Sequence, residues 1–282
     1  MYKRSLYISL VLLLLFATGC TQRPTPYFAP PSVVENVYNH IVSIAVYYYM
    51  SPEEWERRAY LNESVARIDV ETGETYQGKP IKCIAYIGSG VIVRNNLILT
   101  VRHLFNHTEN TYARKIWVFH QNEDHPIEAD LIAMTANQSE DDKYNDYACI
   151  QLTEDLGLPG IVVAKRDVKL GEKVMFGCSV GGTAYFLRFG YAGKFKWFFR
   201  RDTDGRLHLS KMRDYYFTTA HPSGPGDSGS GVFNIRGELV GIIYIGVNIY
   251  EEMYSFTNPI KCLHDFLKQF KLDYLIYSLE SE

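Results

Sequence analysis

Short apolar segments and turn residues alternate along most of the chain. The segments are rich in Val, Ile, Tyr and Phe, and they are separated by Gly, Asn, Asp or Pro. Short β-branched and aromatic runs with frequent turns are typical of strands in a barrel or sandwich. We therefore predict an all-β fold. The predicted strands are 37–50, 81–93, 97–101, 115–120, 128–135, 147–152, 161–166, 173–180, 183–195, 196–201, 206–211, 215–220, 231–235, 238–247 and 253–257.

Two segments have the periodicity of a helix instead. Residues 51–68 begin with Ser-Pro-Glu-Glu, a capping-box pattern, and are predicted to be helical. Residues 260–270 are amphipathic, and Asn258 and Pro259 are suited to begin a helix there.

The strands fall into two clusters, and no internal sequence repeat is visible. This organisation predicts two stacked barrels and a closing helix. We expect the first barrel over 33–155, with the helical insertion near 51–68. The second barrel is expected over 156–257, and the C-terminal helix and tail over 258–282.

Residues 1–20 differ from the rest of the chain. Lys3 and Arg4 precede an apolar run at 6–17, and small residues follow. This three-part pattern predicts a secretory signal, and the run is short for a membrane span. An uncleaved anchor remains an alternative interpretation.

The signal ends in Ala-Thr-Gly-Cys, which resembles the cleavage box of bacterial lipoproteins, although Ala17 stands where Leu is commoner. The resemblance implies a lipidated Cys20 that anchors the mature protein to a membrane. Residues 21–32 are Pro-rich and are expected to be an extended tether. We therefore expect a protein of the bacterial cell envelope, on the periplasmic or extracellular side. Secretion without a lipid is the alternative.

Composition narrows the function only slightly. The 282 residues, 46% of them hydrophobic, are enough for one large or two small cores. A net charge of −3 gives no indication of a nucleic-acid partner. His107, His120 and His125 lack Cys or acidic partners at ligand spacing, so we predict neither a metal site nor a cofactor.

Four cysteines follow the signal, and their pairing is open. Cys83, Cys149, Cys178 and Cys262 allow three pairings, and an envelope location permits disulfides. Cys149 and Cys178 lie inside apolar runs, so we expect both to be buried free thiols.

Three segments contain candidate catalytic residues. The loop Gly-Pro-Gly-Asp-Ser-Gly-Ser-Gly (224–231) presents Ser228 among small residues, which lets a substrate carbonyl approach backbone N–H groups. His103 ends the pattern of segment 88–105, in which a strand containing Gly-Ser-Gly is followed by a turn and by a second strand that ends in Thr-x-x-His. Asp146 opens an apolar strand, whereas Asp141 and Asp142 lie in a polar run typical of a solvated loop.

These segments, in the order His, Asp, Ser, resemble the chymotrypsin-fold (trypsin-like) serine proteases, and in style the bacterial members. The resemblance implies two six-stranded antiparallel barrels. It also implies that His103 is the general base, Asp146 orients it, and Ser228 is the nucleophile. The N–H groups of Gly226 and Ser228 would form the oxyanion hole. Arg102 departs from the small residue often found before the histidine.

The resemblance also implies a substrate cleft. Pro222 and Ser223 would lie at the base of the specificity pocket, and Tyr244, Ile245 and Gly246 would border an extended peptide. Tyr244 replaces a serine that usually supports the catalytic aspartate in the family.

Two functions are carried forward. The first is a membrane-tethered serine endopeptidase that acts on a peptide or protein substrate. The alternative is a catalytically inactive binding lipoprotein of the same fold, which Tyr244 favours.

Asp227 matches a residue that pairs with a newly cut N-terminus in zymogens. Because the N-terminus here is expected to be lipidated and remote, we predict local bonding of Asp227 and activity without propeptide cleavage. The sequence leaves the oligomeric state open.

Overall fold

The structure, a computed structural model, describes residues 29–49, 83–105, 114–136, 146–180, 184–193, 195–201, 207–219, 226–249 and 252–276. The predicted helix at 51–68 and the signal and tether at 1–28 lie outside these residues. Within the described ranges, no helix has both the length and the apolar content needed to cross a membrane.

Six antiparallel strands close into the first barrel in the order β1-β2-β3-β6-β5-β4. Their side chains fill its centre with a core of Val, Ile and Leu, because a closed sheet turns alternate residues inward. The strands are β1 (Ile41–Tyr49), β2 (Cys83–Ile92), β3 (Leu97–Thr100), β4 (Arg114–His120), β5 (Ile127–Met134) and β6 (Ala148–Leu152).

The second half of the chain forms a sheet of seven strands, in the order β8-β7-β11-β12-β13-β10-β9, where six were predicted. Every pairing in it is antiparallel. Its strands are β7 (Lys173–Val180), β8 (Ala184–Tyr191), β9 (Phe195–Arg201), β10 (Leu207–Thr219), β11 (Gly231–Asn234), β12 (Leu239–Ile249) and β13 (Glu252–Thr257). The predicted all-β, chymotrypsin-like architecture is thereby confirmed.

Glycines let the two sheets pack closely. A Cβ at Gly177 on β7 would overlap the side chain of Ile41 on β1, and one at Gly231 on β11 would overlap Val91 on β2. A side chain at these positions would therefore force the buried side chains of Ile41 or Val91 to move. The main core accordingly extends across both halves of the molecule.

The predicted C-terminal helix is present as α2 (Ile260–Gln269). It buries Leu263, Phe266 and Leu267, and the ring of Phe266 lies 5.6 Å from that of Tyr147, centroid to centroid. The helix therefore packs against Tyr147, the residue that directly precedes β6. Its first N–H is accepted by Asp167 Oδ1 at 2.7 Å, with Pro259 at the N-cap position rather than Asn258.

The predicted strand at 37–50 was wrong at its start. Residues up to Asn39 belong to helix α1 (Pro31–Asn39), and the strand begins at Ile41. The helix also includes the last two residues of the predicted tether. Val37 is fully buried on its inner face, so tertiary packing overrides the β-branched composition of this segment.

Two further strand predictions needed correction. Residues 161–166 form only isolated bridges, Val93 with Ile161 and Val163 with Leu239, and the side chains of Ile161, Val163 and Ala164 are buried. The strands predicted at 206–211 and 215–220 are one continuous strand, β10, over the described residues 207–219, with an irregularity between Lys211 and Tyr216. Burial, rather than strand pairing, explains why the segment 161–166 is apolar.

Candidate active site

His103 lies in a short 3-10 turn, Arg102–Phe105, just beyond the end of β3. Leu104 and Phe105 are buried beneath it, whereas the His103 side chain is 41% exposed. The turn therefore fixes the imidazole at the surface of the barrel by burying its neighbours.

Asp146 lies two residues before β6 and forms the closest contact of the site. Thr100 of β3 is opposite Ala148 of β6, so the two strands deliver His103 and Asp146 to the same end of the barrel. Asp146 Oδ2 is 2.5 Å from His103 Nδ1, and Oδ1 accepts the His103 backbone N–H at 2.9 Å. Two contacts from one buried carboxylate hold the ring in the tautomer with hydrogen on Nδ1. His103 Nε2 is then able to accept a proton.

The loop that carries Ser228 requires two glycines. Gly226 has φ of 100° and Gly229 has φ of 92°, a conformation that L side chains rarely adopt. The Ser228 carbonyl accepts the Ser89 N–H at 2.7 Å, and the Gly229 N–H donates to the Ile243 carbonyl at 2.8 Å. Strands from both halves of the molecule thus hold this loop.

Ser89, a buried residue of β2, connects the Ser228 loop to the histidine segment. Its hydroxyl donates to the Gly226 carbonyl at 2.8 Å and accepts the Ser179 N–H at 2.8 Å. Its carbonyl accepts the Thr100 hydroxyl at 2.7 Å. Thr100 ends the strand that leads to His103, so the Ser228 loop and the histidine turn share one anchor. Sequence reasoning missed this role, although the Gly-Ser-Gly sequence of β2 marked the position.

His103 and Asp146 are therefore in direct contact, and the Ser228 backbone is bonded to Ser89 of β2, the strand next to β3. Among the described residues, no hydrogen bond joins the Ser228 hydroxyl to the imidazole. Such bonds are often loose without substrate and tighten in the complex.

Asp227 is 3% exposed and is bonded locally, as predicted. Arg188 of β8 places Nη1 3.4 Å from its Oδ2. Burial, and then the charge of nearby Asp227, raise the pKa of the Cys178 thiol to about 12. This thiol therefore stays protonated. Cys149 and Cys178 are both buried free thiols, as expected.

The predicted cleft residues are only partly described. Pro222 and Ser223 lie outside the described residues. Tyr244 is half-buried on β12 and packs against the main core. Ile245 and Gly246 pair with β13, whereas the pairing of β12 with β11 ends at Ile242. Beyond that point, no described strand pairs with the other edge of β12.

Comparison with known proteins agrees with this architecture. Residues 88–242, more than half of the chain, match the family model of the trypsin-like peptidase domain. No curated protein sequence matches the chain significantly. Among solved structures, the active form of the Rv3671c protease from M. tuberculosis superposes with a TM-score of 0.55 at 16% identity, over 88% of this chain and 87% of that chain. Its inactive form gives a TM-score of 0.55 at 15% identity, over 88% and 96%.

At this identity the structural likeness shows the fold alone, and the family match covers the segments of all three candidate catalytic residues. The chain belongs to the trypsin-like peptidases, which are serine proteases of the chymotrypsin fold.

Proposed function

We propose that the chain is a serine endopeptidase that cleaves peptide bonds through His103, Asp146 and Ser228. The observation that carries the proposal is the 2.5 Å contact between His103 Nδ1 and Asp146 Oδ2. A buried carboxylate in that position orients the ring and stabilises the imidazolium that forms during catalysis.

The proposed reaction has two stages. The Ser228 hydroxyl attacks the substrate carbonyl while His103 Nε2 takes its proton, and the N–H groups of Gly226 and Ser228 stabilise the oxyanion. His103 then protonates the leaving amine, and an acyl-enzyme remains on Ser228. Water activated by the same imidazole hydrolyses this ester and restores the free hydroxyl.

An extended peptide is the proposed substrate. The edge of β12 at 244–246, which no described strand covers, offers backbone groups for strand addition by the peptide. Pro222 and Ser223 are proposed to form the base of the specificity pocket.

Activity is proposed to require no propeptide cleavage. In this chain Arg188, a residue already folded into β8, supplies the positive charge beside Asp227. The nucleophile loop therefore does not depend on a new N-terminus for this contact.

Residues 1–20 support a proposed location in the bacterial cell envelope, with a lipid on Cys20. Metabolic labelling with a fatty-acid probe tests this. We expect label on the wild-type protein and none on Cys20→Ser. Equal labelling of both proteins would exclude Cys20 as the lipid site.

The catalytic proposal is tested with a fluorophosphonate probe and a peptide library. We expect labelling and cleavage by the wild type, and a loss of activity by several orders of magnitude in Ser228→Ala. Ser43→Ala is the matched control, because Ser43 is a buried serine of the first barrel and should leave both readouts unchanged. A folded wild type that neither labels nor cleaves would favour the inactive binding protein, as the replacement of a serine by Tyr244 does.

A further inference from the structure

The guanidinium of Arg102 lies beside the buried carboxylate of Asp146. Arg102 Nε is 3.7 Å from Asp146 Oδ1, and the two side chains are only 10% and 7% exposed. Arg102 Nη1 donates to the Ala136 carbonyl at 2.6 Å. A second contact runs through the backbone, where the Arg102 N–H donates to the Asp146 carbonyl at 3.3 Å. The guanidinium is therefore fixed through Nη1, while Nε, which makes no hydrogen bond among the described residues, places its positive charge beside the carboxylate.

This arrangement gives Asp146 a positive neighbour that does not take part in proton transfer. Among the described residues, His103 and Arg102 are the charged groups within 4 Å of its carboxylate. A carboxylate removed from water is costly to bury unless it is paired. The Arg102 guanidinium supplies a permanent positive charge beside this carboxylate.

We propose that Arg102 is a positioning residue, which holds the Asp146 carboxylate in the orientation that receives the His103 Nδ1–H. The inference rests on the proposed serine protease function. Besides positioning the carboxylate, Arg102 acts through its charge. Because the guanidinium offsets part of the negative field of Asp146, it weakens the hold of that carboxylate on an imidazolium proton.

Two substitutions separate orientation from charge. Arg102→Met keeps an unbranched stem and removes the charge and the bond to Ala136. Arg102→Lys keeps the charge but lacks the planar fork that reaches Ala136. Arg166→Met is the control, because it removes one positive charge from an exposed arginine that pairs with Glu172 on the second half of the molecule.

The kinetic test measures kcat and KM across pH. For Arg102→Met we expect kcat to fall on the order of 100-fold with KM little changed, because a displaced carboxylate misaligns the imidazole. The acid limb of its kcat/KM profile should move to higher pH, since His103 keeps its proton longer beside an uncompensated carboxylate. Arg102→Lys should lower kcat while leaving the acid limb in place, and Arg166→Met should change neither.

A second readout needs no hydrolysis. In a Ser228→Ala background, the downfield proton resonance of His103 Nδ1–H reports the imidazole titration directly. We expect its midpoint to move to higher pH with Arg102→Met and to stay in place with Arg102→Lys. An unshifted midpoint in a folded Arg102→Met protein, or an unchanged kcat in both variants, would overturn the proposal. If Arg102→Met does not fold, a kcat for Arg102→Lys equal to that of the wild type overturns it as well.

The two proposals fail in different ways. A wild type that neither labels nor cleaves removes the protease function, while the titration still reports whether Arg102 acts on His103 through Asp146. A wild type that is active, with Arg102 variants that match Arg166→Met, removes only the positioning role.

Discussion

Ser89→Ala tests whether one buried hydroxyl holds the nucleophile loop in its active shape. Ser89 is fully buried, and its hydroxyl links the Gly226 carbonyl to the Ser179 N–H. Alanine keeps the backbone N–H that donates to the Ser228 carbonyl. The substitution therefore removes the contacts of the hydroxyl with Gly226 and Ser179 and leaves the main-chain contacts with Ser228 and Thr100 in place.

The structure sets the size of the expected effect. The Ser179 N–H is buried and loses its acceptor, which costs about 1–3 kcal/mol. The Gly226 carbonyl is only partly buried, so water replaces some of its lost bond. Together we expect the free energy of unfolding to fall by about 2–4 kcal/mol. The Gly226 peptide also becomes free to turn, and loss of one oxyanion donor lowers kcat by up to about 10²–10³-fold.

Urea unfolding measures the stability, and steady-state cleavage of a peptide measures kcat and KM. Ser43→Ala is the control, because Ser43 lies directly opposite Ser89 on β1 and is equally buried. The Ser43 hydroxyl has no hydrogen bond among the described residues, so its removal should leave stability unchanged or slightly higher. If the two variants match in stability and in kcat, the role assigned to Ser89 is refuted. A loss of stability with normal kcat would limit that role to folding.

Two other residues give separate predictions. Arg188→Met removes the guanidinium beside buried Asp227, so it should lower the free energy of unfolding by about 3 kcal/mol and slow fluorophosphonate labelling. Adding Asp227→Asn should restore most of the stability. If the double variant recovers no stability, the pairing is contradicted. Burial lowers the pKa of His40, the hydrogen bond to the Asn36 carbonyl opposes this, and nearby His120 adds to the lowering. The unfolded chain then binds this proton more readily than the folded chain, so stability should decline as pH falls below 6.5. Urea midpoints from about pH 7 to about pH 5 measure this decline, which His40→Gln should flatten.

Much of the site was predictable because its chemistry is local in the sequence. A glycine-rich serine loop, a histidine after a short strand and an aspartate before a buried strand each leave a readable pattern. The structure places His103 and Asp146 in contact as that pattern implied. Alternation of apolar and polar residues likewise predicted most strands, because it directly reflects which side of a sheet is buried.

The supporting residues were not predictable in the same way. Ser89 bonds to Gly226 at a separation of 137 residues, and Arg188 reaches Asp227 across 39. Such contacts arise only when segments far apart in the sequence come together in the folded chain, so no local pattern reports them. The segment 161–166 shows the same limit, because its apolar residues fit a strand or a buried connector equally well.

The anchoring of the serine loop by β2 has a consequence for how such a molecule can be altered. The Gly226 and Ser228 carbonyls of the loop accept the hydroxyl and the N–H of Ser89 in the opposite half, so the loop's shape is a property of the assembled pair. A chimera that joins the second half to a foreign first barrel would have to supply a hydroxyl and an N–H at the same place. Exchange of halves between distant relatives should therefore succeed only when the Ser228 loop and the part of β2 that holds it are exchanged together.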